Sequence, residues 1–326
     1  MLVYFLRRLG QSCLVIAAMA VLVFIGVYAI GSPIDMMISP DADQAEMEAA
    51  IARLGLDKPL WEQFFIFVSN ALQGDLGNSF VYATPAAELI LSKLPATLEL
   101  AFLALVFAVF LGVPLGMIAG LRPNSVAGKA IMTGSIMGFS LPNFWQGMML
   151  IFVFSVILRG FLPSGGRGET VDLLGVPVSF LTADGLSHML LPAINLALFK
   201  TSLVIRLARA GTREAALQDY VKFARAKGLS ERRIVLVHIA KNIMIPVVTI
   251  LGLELGSMIA FAVVTETVFA WPGMGKLLID SIQALDRPVV VAYLMLTVFM
   301  FIVINLVVDM LYCLLDPRVR LSEAKA

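Results

Sequence analysis

Four stretches of this sequence carry no charge over a length at or beyond what a helix needs to cross a bilayer core, about 20 residues. They lie between Arg8 and Asp35, Glu99 and Arg122, Lys129 and Arg159, and Arg287 and Asp309. Each reads as a membrane-spanning helix. A fifth run, Ile243 to Thr265, contains Glu254, and a sixth, about Leu186 to Leu207, carries Lys200 and Arg206 in its second half. Long basic side chains can snorkel toward the interface, which makes the sixth run tolerable as a span. The expectation is an all-α integral membrane protein with six transmembrane helices. Composition agrees: 60% of residues are hydrophobic and 14% charged, where a soluble domain has about 25% charged residues. Arg7 and Arg8 precede the first run, and Ala29-Ile30-Gly31 loosely resembles a cleavage site. The run is longer than the usual 7–15 residue signal-peptide core, so it reads as a retained first helix.

Orientation follows from the positive-inside rule. With the N-terminus inside, 17 of the 24 Lys and Arg fall on the cytoplasmic side. The segment from Lys200 to Lys241 holds ten basic residues against Glu214, Asp219 and Glu231, whereas Gly31 to Leu98 holds three basic residues and nine acids. Both termini are therefore expected in the cytoplasm. In the outer segment, Leu60 to Val68 is apolar but too short to span, and reads as an amphipathic helix lying in the interface. Gly74-Asp75-Leu76-Gly77-Asn78-Ser79 reads as a turn. The expected division is residues 1–95 for the first helix and outer segment, 96–313 for a transmembrane core with a cytoplasmic loop at about 210–242, and 314–326 for a cytoplasmic tail.

Several chemistries are excluded. A net charge of +1 gives no basic bias toward nucleic acid. Cys13 and Cys313 lack metal-ligand spacing and read as lipid- or helix-packed thiols. Gly128-Lys129 and Gly275-Lys276 lack the upstream glycine and following hydroxyl of a phosphate loop. His188 and His238 fall on opposite predicted sides of the membrane, and no serine-nucleophile motif is present. No catalytic, cofactor-binding or metal-binding residue is expected.

The basic loop carries the strongest local signal. Helix formers run from Asp219 to Lys227, Gly228 suits a left-handed C-terminal cap, and Ser230 can cap a second short helix. Tyr220, Phe223 and Ala224 share one face at i, i+3, i+4 spacing. An exposed apolar stripe with basic flanks suits docking into a partner's groove. A basic loop held against anionic lipid heads explains the charges equally well.

Asp219-Tyr220-Val221-x-x-Ala224-Arg225-Ala226-Lys227-Gly228-Leu229, followed by His238-x-x-x-Asn242-x-x-x-Pro246, resembles the cytoplasmic coupling loop of ABC importer permeases. The likeness is to the first permease subunit of the dipeptide/oligopeptide/nickel branch. Leu54-Gly55-Leu56-Asp57-Lys58-Pro59, Gly74-Asp75-Leu76-Gly77 and Ala96-Thr97-Leu98-Glu99-Leu100 are similar to that family's outer segment. Thr265-Glu266-Thr267-Val268-Phe269-Ala270-Trp271-Pro272-Gly273-Met274-Gly275, Asn305-Leu306-Val307-Val308-Asp309 and Asp316-Pro317-Arg318-Val319-Arg320 resemble its later segments. Three positions depart from it: Ile30-Gly31-Ser32-Pro33 stands for the usual Pro-Gly-Asp-Pro, Lys222-Phe223-Ala224 for Glu-Ala-Ala, and Lys200 where the family is typically apolar.

The resemblance implies a type I ABC importer permease fold in the bacterial inner membrane. It implies a paralogous permease subunit, two ATPase subunits that bind ATP and Mg, and a periplasmic solute-binding protein. Membrane lipid surrounds the chain, and no cofactor is implied for this subunit. Tyr220, Phe223, Ala224, Arg225, Ala226, Lys227 and Gly228 are the expected ATPase contact. Trp271, Pro272, Gly273 and Gly275 are expected in a periplasmic hairpin near the binding protein, or else in a structural turn with an interfacial Trp anchor. Glu254 and Asn143 are candidates for the pathway or a subunit interface, and Met132, Phe139 and Met148 for the pathway lining or ordinary helix packing. Di- and oligopeptides are the family's commonest cargo; nickel, glutathione and oligosaccharides stay open. A polytopic membrane enzyme, such as an intramembrane protease, and a passive channel are the readings from other classes.

Overall fold

The computed structural model describes residues 2–29 and 57–315. Ile30-Gly31-Ser32-Pro33, Leu54 to Leu56 and the tail motif Asp316 to Arg320 lie outside the described residues. The helices are α1 (Leu2–Ala29), α2 (Leu60–Leu72), α3 (Ala86–Leu121), α4 (Val126–Ser140) and α5 (Asn143–Ile151). They continue with α6 (Ala183–Leu217), α7 (Asp219–Ala226), α8 (Ala240–Val268), α9 (Met274–Gln283) and α10 (Arg287–Leu315). Among the described residues, five helices are long and apolar enough to cross a membrane: Arg8–Gly26, Ala86–Leu121, Ala183–Leu217, Pro246–Val268 and Arg287–Val308.

The third charge-free run departs from expectation. Rather than one rod it forms α4 and then α5 with its π-helical extension Phe152–Ile157, bent by 108°. Leu141-Pro142 is the cause: proline removes a backbone donor and drives the residue before it into extended geometry, and Leu141 has φ −81° and ψ 139°. Gln146 repairs the break by donating Nε2 to the carbonyls of Gly138 at 3.0 Å and Leu141 at 2.8 Å. One short element adds to the helices. Val171–Leu173 and Val176–Val178 pair as an antiparallel hairpin, β1 and β2.

The chain forms two compact units. The first comprises Met1–Lys93 and Leu277–Val303. In it α2 forms as expected and packs on α1, with Phe24 edge-on to Phe64 at 5.3 Å. The turn after α2 is built as its composition demands. Gly74 and Gly77 take positive φ, and the Asp75 carboxylate accepts from the Gly77 N–H at 2.9 Å. The buried Asp286 carboxylate accepts from the Ser79 hydroxyl and, at 3.1 Å, from the Phe80 N–H.

The second unit comprises Leu94–Lys276 and Ile304–Ala326. Here α6 is the central helix, packed by α4, α5 and α8. Gly112, Gly116 and Gly120 form a stripe on α3 against Val204, Ala208 and Thr212 of α6. A methyl group at these glycines would meet those three side chains at 2.7, 2.6 and 2.8 Å. In lipid no hydrophobic effect drives helices together, so close backbone approach through small residues supplies the contact energy.

Candidate functional site

The basic loop folds into an elbow whose two faces do different things. Helix α7 starts after Gln218, which is extended at φ −69° and ψ 151°. Gly228 ends it with φ +76°, a left-handed conformation that glycine adopts without strain. Val221 and Ala224 are buried in one apolar cluster with Ala215 of α6, Ile234, Ile239, Ile243 and Val247 on the way into α8, and Ala108, Val113 and Met117 of α3. The outer face presents Tyr220 at 41% and Phe223 at 63% exposure. So Ala224 does not share the exposed face with Tyr220 and Phe223, as the spacing suggested; it faces inward beside Val221. The second short helix is also not separate. Glu231–Arg233 passes through a π-helical stretch, Ile234–Ile239, directly into α8. Ser230 occupies its N-cap position without a side-chain hydrogen bond.

Polar contacts hold the elbow. Asn242 donates Nδ2 to the Tyr220 hydroxyl at 2.7 Å and to the His238 carbonyl at 2.9 Å, which ties Asn242 to the loop; His238 takes part through its backbone. Arg225 donates Nε to Glu231 at 2.7 Å across the turn. That bond holds the Glu231 carboxyl below its usual range and raises Arg225. Lys222 donates to Asp219 at 2.9 Å and lowers it likewise. Lys227 lies over the Phe223 ring, 4.7 Å from its centroid, and Ala226 is exposed.

At the opposite end of α8, two of the motif strings meet. The Trp271 indole donates to the Ala96 carbonyl at 2.9 Å. Thr97 donates its hydroxyl to Glu266 at 2.6 Å and accepts the Met274 N–H at 2.9 Å. Glu266 also accepts the Lys276 N–H at 3.0 Å. Any side chain at Gly273 would overlap this carboxylate, and one at Gly275 would meet the Val263 backbone at 2.6 Å. Glu99 accepts from the Ser179 N–H at 2.9 Å and pairs with Arg167 at 3.2 Å. Trp271 is fully buried, so it is not an interfacial anchor. Pro272 and Gly273 turn tightly over Glu266, with the Gly273 N–H on the Trp271 carbonyl at 2.8 Å.

Within the spans, Lys200 does not snorkel. It is 9% exposed and pairs with Glu254 of α8, and it donates to the Ser257 hydroxyl at 2.9 Å. Asn143 starts α5 and is tied into a polar knot. It donates to Thr265 at 3.2 Å, and Asn195 donates to Asn143 at 2.7 Å and to Thr265 at 3.0 Å. Phe139 and Met148 are exposed and Met132 is half-buried. Cys13 is exposed.

Residues 112–321 match the family described as "Binding-protein-dependent transport system inner membrane component". Residues 1–101 match its N-terminal counterpart, "Binding-prot-dependent transport system membrane comp, N-term". The chain belongs to the binding-protein-dependent transport system inner membrane component family. This permease is 40% identical over 334 residues to the di/tripeptide transport system permease protein DppB of Pseudomonas aeruginosa, covering 98% of this chain and 99% of that one. It is 37% identical over 339 residues to the dipeptide transport system permease protein DppB of Escherichia coli K12, with the same coverage. It is 40% identical over 321 residues to the glutathione transport system permease protein GsiC of Escherichia coli K12, again covering 98% and 99%. A chain of the MetNI methionine ABC transporter in an inward-facing conformation superposes with a TM-score of 0.53 at 15% identity, over 70% of this chain and 96% of that one. That likeness supports the importer permease fold. The protein is the permease subunit of an ABC importer in the inner membrane, a transport subunit rather than an enzyme.

Sequence reading named Glu254 without its partner and treated Lys200 as an anomaly. Two opposite charges in two separate spans were the available signal, because each needs compensation in lipid. The Glu266–Thr97 contact joins two strings that the sequence shows separately, and Arg167, the partner of Glu99, lies in no string, since nothing local tells which distant segments meet.

Proposed function

We propose that this permease imports short peptides, and that α7 carries the ATPase stroke to the membrane helices. The cargo reading rests on end-to-end similarity to permeases named for di/tripeptide and dipeptide transport. Glutathione, the substrate in the third relative's name, is itself a short peptide. In this reading the permease works with a paralogous permease, two ATPase subunits and a periplasmic solute-binding protein. The chain crosses the membrane six times, the α4–α5 pair counting as one broken span, with both termini in the cytoplasm. Residues 96–313 form the permease core.

One observation carries the coupling role. Tyr220 and Phe223 project from a helix whose other face, Val221 and Ala224, lies in the same apolar cluster as α3, α6 and α8. A push on the exposed pair is therefore delivered to packed membrane helices, not to a loose loop. Packed interiors shift between discrete arrangements instead of deforming continuously. ATP drives the cycle by binding one arrangement better than the other. In the same reading Pro272, Gly273 and Gly275, braced by Trp271 and Glu266, form the platform near which the binding protein docks, and α2 lies in the membrane interface.

The test is site-directed crosslinking in the assembled transporter. Tyr220→Cys and Phe223→Cys are expected to crosslink to an ATPase subunit, and the yield is expected to change between nucleotide-free and ATP-bound states. Crosslinking of both positions to lipid reagents alone would favour the alternative in which the basic loop rests on anionic headgroups.

A further inference from the structure

A member of an ion pair between two spans whose polar group is fully engaged would be a brace and nothing more. Lys200 meets that description: its ammonium bonds Glu254 Oε2 and Ser257 Oγ and lies 5.2 Å from the Phe199 ring centroid. Glu254 does not. Both of its side-chain bonds, to Lys200 and, at 2.7 Å, to Ser257, use Oε2. Oε1 has no partner among the described residues, and the side chain keeps 29% exposure.

A second charge joins this cluster through the two rings. Arg206 lies six residues further along α6, its guanidinium 4.4 Å from the Phe139 ring centroid, and among the described residues no carboxylate pairs with it. Between the two charges, Phe139 and Phe199 stack at 4.6 Å with an interplanar angle of 25°. Their rings are 41% and 43% exposed. Six residues of helix separate Lys200 from Arg206 by about 9 Å along the axis. Extended backbone covers about 3.3–3.6 Å per residue, so the charged ends of a di- or tripeptide lie roughly 7–11 Å apart.

We infer that Glu254 Oε1 and Arg206, on either side of the Phe139–Phe199 pair, form a subsite that holds the two charged ends of a short zwitterionic peptide in passage. The peptide ammonium donates to Oε1 while Lys200 stays on Oε2. The peptide carboxylate accepts from the Arg206 guanidinium, whose planar fork matches it. The aromatic pair offers faces to side chains of any chemistry and discriminates little among them. Lys200 compensates Glu254 when no ammonium is there, which keeps a lone anion out of the span. The inference rests on the short-peptide reading of the cargo.

The test uses the assembled transporter in lipid nanodiscs without the binding protein, and measures equilibrium binding of isotope-labelled alanylalanine, N-acetyl-alanylalanine and alanylalanine amide. Alanylalanine should bind saturably, and each blocked peptide about tenfold or more weakly, as expected for losing a charged hydrogen bond. Glu254→Gln should weaken alanylalanine by a similar factor and leave the N-acetyl peptide unchanged. Arg206→Gln should weaken alanylalanine and leave the amide unchanged. Because Arg206 has no ion-pair partner among the described residues, its variant keeps the test alive even if Glu254→Gln assembles poorly. Equal weakening of all three peptides by both variants, or unchanged binding by both, would reduce the cluster to a structural brace and overturn the inference. In parallel, the isolated binding protein is tested with alanylalanine. If it captures the peptide and the nanodisc complex does not, the subsite fails and the cargo reading stands. If it captures none of a panel of short peptides, the cargo reading fails and takes the subsite with it.

Discussion

Phe223→Ala separates docking from folding. The Phe223 side chain is 63% exposed and takes no part in the buried cluster, so its loss should leave the fold of the permease nearly unchanged. A phenylalanine side chain offers about 150–250 Å². The exposed share is therefore about 100–150 Å², and burying it in a partner's groove at about 25 cal/mol per Å² contributes about 3 kcal/mol. Truncation should then weaken ATPase association roughly a hundredfold, a loss typical of a central aromatic anchor. The assay is binding of the purified ATPase subunits to the permease pair in nanodiscs, with thermal unfolding of the permease pair measured alongside. Ala224→Leu is the matched contrast. Ala224 is buried against Val221 and Ile234 in the apolar cluster, so added volume should cost about 1–3 kcal/mol of stability and lower the unfolding temperature before it changes any contact. Full-strength ATPase binding by Phe223→Ala would refute the assignment of the exposed face. So would a loss of binding that tracks a loss of permease stability.

Three further outcomes follow from named contacts. Gly273→Ala places a methyl group on the Glu266 carboxylate, and Thr97→Val removes the hydroxyl bonded to it. Each should lower permease stability by about 1–3 kcal/mol, read as thermal unfolding in detergent, and Thr267→Val, at an exposed position of α8, should not. Glu231 has a folded pKa depressed by its hydrogen bond from Arg225. Its contribution is therefore present above the unfolded carboxylate pKa and is lost as pH falls through the lower folded value. A spin label at Ser230 should gain mobility on acidification, and Glu231→Gln should remove that dependence; the pair is solvent-exposed, so the effect should also fade with salt. A reporter active only in the periplasm should work when fused after Gly74 and fail when fused after Ser230; activity at Ser230 would overturn the six-span topology.

Different parts of this fold were unequally legible in the sequence, for physical reasons. Charge-free length identifies α1, α3 and α10 because the bilayer makes length and polarity the governing constraints. The α4–α5 bend was hidden because Leu141-Pro142 interrupts no apolar run; Gln146 was the clue, a long amide that supplies the donors a broken span needs. The Gly112, Gly116 and Gly120 stripe was readable as a packing face but not as a contact with Val204, Ala208 and Thr212, since small residues do not encode their partner. At the elbow, local chemistry foretold the left-handed Gly228 cap and the exposure of Tyr220 and Phe223. Ala224 was misplaced because helical spacing puts it between the two faces, and only the cluster around Ile234 and Ile239 decides which way it turns. For Trp271, residue type favoured an interfacial anchor as one of two readings; its indole closes a hydrogen bond in the interior.

In the proposed reading this permease moves short peptides inward only when partner subunits hydrolyse ATP. The most direct measurement is uptake of labelled alanylalanine into proteoliposomes containing the permease pair and its ATPase subunits, with the binding protein added outside. Uptake should require ATP, the binding protein and the ATPase subunits together, and Phe223→Ala should abolish most of it. Uptake by the permease pair alone would indicate a passive channel, and peptide cleavage by the purified chain would indicate a membrane enzyme; either result contradicts the account.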